Sequence, residues 1–214
     1  MEDLRPKTTL FCAVLALAIA LSVLLRGRRQ YVHWLLAAFS LEVAAWWAVQ
    51  SLYGIFQAPI WVRATEVLTI LLPQFAVHLF QAIVPIEPIE AMPRWTRLTR
   101  IAGALGLPML LLVASPYHET PVALVIVYSY VVGLLAAALV SLWRRGQRNA
   151  SRAVRDRVRF LVAVGAAATT FTLADFLSYL GLYLPPIGAV LSIVFLFVLA
   201  ESIARPRLAD LYET

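Results

Sequence analysis

Seven apolar runs, at residues 8–25, 31–53, 63–84, 98–114, 122–143, 160–180 and 186–204, restrict what this chain can fold into. Each has the length a helix needs to cross a bilayer, about 17–25 residues. In lipid every backbone N–H and C=O must be paired internally, which leaves helices or closed barrels. Barrel strands alternate apolar and polar residues, and these runs do not. A soluble domain is excluded by composition: 62% of the 214 residues are hydrophobic and 14% charged, against about 45–50% and 25% in soluble proteins. The expected fold is all-α, a polytopic membrane helix bundle with seven transmembrane helices. Residues 1–204 form the bundle, and 205–214 form an exit segment. The first run is expected to be retained rather than cleaved as a signal peptide. Glu2 and Asp3 offset Arg5 and Lys7 before it, and the cluster Arg26, Arg28, Arg29 follows it as in a stop-transfer.

Basic residues set the orientation. With the N-terminus outside, all but Arg5, Lys7 and Arg63 of the 18 basic residues fall on the cytoplasmic side. The C-terminus is then cytoplasmic, and the expected location is the bacterial inner membrane. Trp34, Trp95 and Trp143 fall near the inner boundary and Trp61 near the outer one, as interfacial anchors do. Trp46 and Trp47 lie deeper and need another role, packing or ligand contact. Loop 144–159 is the largest soluble piece, and its arginines suit topology, anionic headgroups or an acidic partner. The positive charge is dispersed along an apolar chain, so no nucleic-acid partner is expected.

Ionisable and amide groups inside the runs are the candidate functional residues. Glu42, Trp46 and Gln50 recur at helical spacing on the second run. Glu66 stands near the outer end of the third, and Asp175 and Tyr179 in the outer half of the sixth. These six are the candidate lining of a ligand cavity between helices 2, 3 and 6. Gln74, His78 and Gln81 form a second stripe beside Pro73, suited to polar packing or a relay. Interhelical packing, a ligand cavity and a proton or ion path are all compatible with such groups.

Catalytic signatures are missing. His33, His78 and His118 lie on separate segments, with no HExxH pair, and the single cysteine, Cys12, cannot build a zinc cluster. There is no GxSxG and no P-loop. The only lysine, Lys7, precedes the first run, which excludes a retinal Schiff base within the bundle. No metal, no cofactor and no enzymatic activity are expected. Pro73-Gln74 resembles the proline-glutamine pair of small seven-helix sugar transporters, but helices 5–7 hold no matching pair.

The segment from Arg155 onward carries the most specific pattern. It combines an arginine-rich entry to the sixth helix, Asp175 late in it, Gly181, the start Pro185-Pro186-x-Gly188 of the seventh, and the exit Ala204-Arg205-x-Arg207-Leu208-x-Asp210. This resembles the seven-helix N-terminal input region of bacterial histidine kinases and related two-component signalling proteins. The resemblance implies a non-catalytic sensory module. Glu201, Arg205, Arg207 and Asp210 would carry the signal to a cytoplasmic output domain or partner protein, with a homodimer as the working unit. The 214 residues hold no phosphorylatable-histidine helix and no ATP-binding domain, so the chain is expected to be an input domain of a longer protein or a bundle acting through a partner. The alternatives are a small-solute transporter and a membrane scaffold that docks a partner through loop 144–159.

Overall fold

The computed structural model describes residues 4–25, 31–83, 97–118, 120–148, 152–174 and 187–204. These form seven helices in chain order: α1 (Leu4–Leu25), α2 (Tyr31–Phe56), α3 (Pro59–Ile83), α4 (Arg97–Ala114), α5 (Pro121–Arg148), α6 (Arg152–Ala174) and α7 (Ile187–Ala204). No strand occurs among the described residues. Five of the helices, α1 to α5, are long and apolar enough to cross a membrane, and α7 is a shorter apolar helix. α6 begins at Arg152, eight residues before the apolar run starts, so its first two turns carry Arg155, Asp156, Arg157 and Arg159.

The helices pack as a ring. α1 lies against α2, α2 against α3, α3 against α5, α5 against α6, α6 against α7, and α7 closes onto α1 and α2. α4 stays outside the ring, against α3 and α5. Apolar side chains face outward as well as inward. Large side chains such as Phe11, Leu21, Leu107, Leu111 and Phe197 point outward, while Ala13, Ala16 and Ala20 of α1 and Ala37, Ser40 and Ala44 of α2 are buried. Small residues let helices approach closely where apolar burial gives no net drive, because lipid tails are as apolar as leucine. Gly146 of α5 follows the same logic: a Cβ there would collide with the Val158 side chain of α6.

Local chemistry fixes the helix ends. Pro121 opens α5 at a position where a missing N–H costs nothing, and the Thr120 hydroxyl accepts from the Ala123 N–H at 3.3 Å as an N-cap. Pro73 sits inside α3, which continues through it. Two residues link α2 to α3. Gln57 adopts φ 50°, and its N–H bonds to the Tyr53 carbonyl at 2.9 Å, the single-bond left-handed helix stop. Pro59 then starts α3. Glycine is the usual residue at such a position because a Cβ is strained there. Gln57→Gly is therefore expected to stabilise the bundle by about 0.5–1 kcal/mol, read as a higher unfolding midpoint in detergent. An unchanged or lower midpoint would show that the turn imposes no strain.

Candidate functional site

A cavity of about 70 Å³ lies between α2, α3, α5, α6 and α7. Its wall on α2 consists of Phe39, Val43, Trp46 and Trp47, which recur at helical spacing. The two indoles meet edge to face, with centroids 4.5 Å apart and an interplanar angle of 63°. Each indole N–H bonds to a hydroxyl of another wall residue. Trp46 Nε1 donates to Thr69 Oγ1 of α3 at 2.9 Å, and Trp47 Nε1 donates to Ser192 Oγ of α7 at 3.0 Å. Both hydroxyls pass the bond on, Thr69 to the Thr65 carbonyl at 2.7 Å and Ser192 to the Ala189 carbonyl at 2.8 Å. Buried tryptophans need such a partner for their N–H. The depth of Trp46 and Trp47 thus has a reason: they line the centre of the ring and tie α2 to α3 and α7.

Of the six residues expected to line a cavity, Trp46 is in the wall. Glu42 lies one turn earlier on α2 and is not among the lining residues. It is 6% exposed, and neither carboxyl oxygen has a hydrogen-bond partner among the described residues. Gln50 and Glu66 are half-buried and also lie off the wall. Asp175 and Tyr179 lie outside the described residues. The wall includes three hydroxyl-bearing residues that sequence reasoning did not single out: Thr69, Thr169 and Ser192. Serine and threonine are common in membrane helices, so only their alignment across the ring distinguishes these three.

The second stripe serves a different contact. Gln74 Nε2 donates to the Ala102 carbonyl of α4 and to the Tyr130 hydroxyl of α5, each at 2.5 Å. A Cβ on Gly106 would collide with that same amide, so Gln74 holds the peripheral helix α4 against α3 and α5. His78 Nδ1 donates to the Gln74 carbonyl at 2.8 Å. Gln81 contributes its carbonyl, which accepts from Arg145 at 2.9 Å. The Pro73-Gln74 pair therefore lies in an unbroken helix, with its amide engaged in helix packing.

Arginines fasten the ring at one end. Arg145 joins α5 to α3 through Gln81. Arg159 of α6 lies 5.9 Å from the Trp143 ring of α5, 3.5 Å from Gln147 Oε1, and pairs with Asp156 at 3.3 Å. Arg157 Nε donates to Ser202 Oγ of α7 at 2.5 Å. Glu201 is half-buried beside that contact, and Arg205, Arg207 and Asp210 lie outside the described residues.

Among the described residues, no group of three or more His, Cys, Asp or Glu side chains could hold a metal ion. No protein-family model, curated protein or solved structure matches the chain. The arrangement has the parts of a binding site: an apolar space, aromatic walls held by hydrogen bonds, and few polar groups. Glu42 is a separate matter. A buried polar group with no partner costs about 1–3 kcal/mol, and more when charged. Glu42→Leu is expected to stabilise the bundle by about that amount, measured by thermal unfolding in lipid nanodiscs. Destabilisation of that size would mean that the carboxyl has a partner in the membrane.

Proposed function

We propose that this chain is a seven-span bacterial inner-membrane protein, N-terminus outside and C-terminus cytoplasmic, that works as a non-catalytic signal-input module. The basic end of the ring is the cytoplasmic end, by the distribution of arginines. The observation that carries the reading is the position of α7. At the depth of the cavity, Ser192 of α7 accepts the Trp47 bond; at the basic end, Ser202 accepts the Arg157 bond. Ten residues separate them, about 15 Å of helix. A change in the cavity wall thus meets the same rigid helix that leads to the cytoplasmic exit. In this reading the ligand favours one of two helix packings, and the α6–α7 pair passes the difference to an output domain or partner protein. Helix shifts of about 1–2 Å are the usual scale of such a transition.

The experiment mimics ligand occupancy with a side chain. Ala168 is buried in the cavity wall, so Ala168→Leu fills the space. Spin labels on Arg148→Cys at the end of α5 and Ile203→Cys at the end of α7, with Cys12→Ala to remove the native thiol, report the spacing at the basic end. A shift of about 1–2 Å in the distance distribution relative to the unfilled protein is expected. Ala76→Val, at another position in the wall, should shift it in the same direction. An unchanged distribution in both folded variants would mean that the cavity and the exit are not coupled.

A further inference from the structure

The segment from Arg144 to Arg159 carries seven arginines and one carboxylate, Asp156, a net charge of +6 that equals the net charge of the whole chain. Part of it is engaged inside the protein. Arg145 is bonded to the Gln81 carbonyl of α3 and Arg157 to Ser202 of α7. Arg159 is placed differently. The cavity lies on one side of the α5–α6 seam, where Leu139 and Gly165 meet; Arg159 and Trp143 meet on the other, and both are exposed. Three contacts hold the Arg159 guanidinium there: the Trp143 ring, 5.9 Å from its centroid, Gln147 Oε1 at 3.5 Å and Asp156 Oδ1 at 3.3 Å. The two hydrogen bonds use two of the five N–H donors of a guanidinium. The side chain is still 53% exposed. It is a cation with a fixed position, with donors left for an anion.

The same two stripes continue away from the arginines as apolar surface. On α6, Ala163 and Ala166 follow Arg159 at +4 and +7; on α5, Val140 and Ala136 precede Trp143 at −3 and −7. All four are exposed. The alanines leave a shallow trough along the seam, and Val140 and Phe160, both exposed, flank its end beside Arg159. A fixed cation above an apolar trough matches a phospholipid, a phosphate carried on an acyl chain. Charge selects among phospholipids. A zwitterionic headgroup brings its ammonium in among arginines, whereas an anionic headgroup brings only the charge they attract. An acidic protein would use the arginines and leave the trough unfilled.

We propose that the outer α5–α6 seam binds an anionic phospholipid, with its phosphate on Arg159 and an acyl chain along Ala136, Ala163 and Ala166. The site lies across the seam from the central cavity and goes beyond the signal-input reading. It rests only on the basic end of the bundle lying at the lipid headgroups.

The test titrates the full chain in detergent with dioleoylphosphatidylglycerol or dioleoylphosphatidylcholine, and native mass spectrometry reads the lipid bound per chain. Phosphatidylglycerol should bind about tenfold more tightly. Arg159→Gln should lower it to the level of phosphatidylcholine. Arg100→Gln makes the same change of charge on α4, which packs on α3 and α5, and should leave binding within about twofold of wild type. Arg159→Lys keeps the charge but loses the planar fork, and should fall between wild type and Arg159→Gln. Ala163→Phe fills the trough; it should weaken both lipids about fivefold and keep their ratio. Where Arg159→Gln does not fold, Arg159→Lys and Ala163→Phe carry the test. Equal binding of the two lipids overturns the proposal. Equal losses in Arg159→Gln and Arg100→Gln also overturn it, by showing a diffuse positive field in place of a site. Unchanged binding in Ala163→Phe does the same for the trough. Inorganic phosphate that displaces phosphatidylglycerol at the lipid's own concentration would reduce the site to one for a free anion. Polyglutamate binding without a preference between the lipids would give the surface to an acidic protein. The α5–α7 spacing measurement is independent of these outcomes, so this site and the signalling reading fail separately.

Discussion

The bundle depends on close approach between helices that gain nothing from hiding leucine. Lipid already offers leucine an apolar environment, so association must come from tight contact and from hydrogen bonds between helices. The structure uses both. Alanines on α1 and α2 make the first seam, and the Ser51 hydroxyl donates across it to the Pro6 carbonyl at 2.9 Å. Gly146 lets α5 reach Val158 of α6, and Gly106 admits the Gln74 amide between α4 and α5. Where bulky residues face inward instead, the helices are held apart. Phe39, Trp46, Trp47, Phe80 and Phe195 all face the centre of the ring, and the space they fail to fill is the cavity. Close seams around the circumference and large rings at the centre are two outcomes of the same packing constraint.

Energy limits what such a cavity can do. A small ligand yields at most about 1.5 kcal/mol per heavy atom, and less per atom as it grows. Moving a two-state equilibrium from 1:99 to 99:1 takes a differential of about 5.5 kcal/mol. A small ligand acts as a switch only if the two packings already lie close in free energy. The contacts at the basic end fit such a balance. Arg157–Ser202 is a single bond, and Arg159 meets α5 through a ring face and one amide oxygen. Interhelical hydrogen bonds in membranes average about 0.6 kcal/mol, so rearranging a few of them is affordable.

Much of the architecture was legible in sequence. The lengths of the apolar runs predict helices, and six of the seven helices begin within five residues of their runs. α6 is the exception because a helix does not stop at the edge of an apolar run: its arginine-bearing turns continue as helix and carry the contacts to α5 and α7. The site was only partly legible. Helical spacing placed Glu42 and Trp46 on one face, yet the structure puts Trp46 in the cavity wall and Glu42 beside it. A shared face fixes direction to within a few tens of degrees, whereas a wall depends on which neighbouring helix stands opposite. Gln74 shows the same limit: polarity marked it as interior, and only the positions of Ala102 and Tyr130 made it a clamp for α4.

Hydrophobic run length and charge placement alone determined that this chain is helical and apolar enough to cross a membrane, because backbone pairing in lipid is a local requirement that each segment meets by itself. Ring order, the exclusion of α4 and the central cavity were decided only in three dimensions. They depend on matching small and large side chains between helices distant in the chain, as Trp47 and Ser192 are.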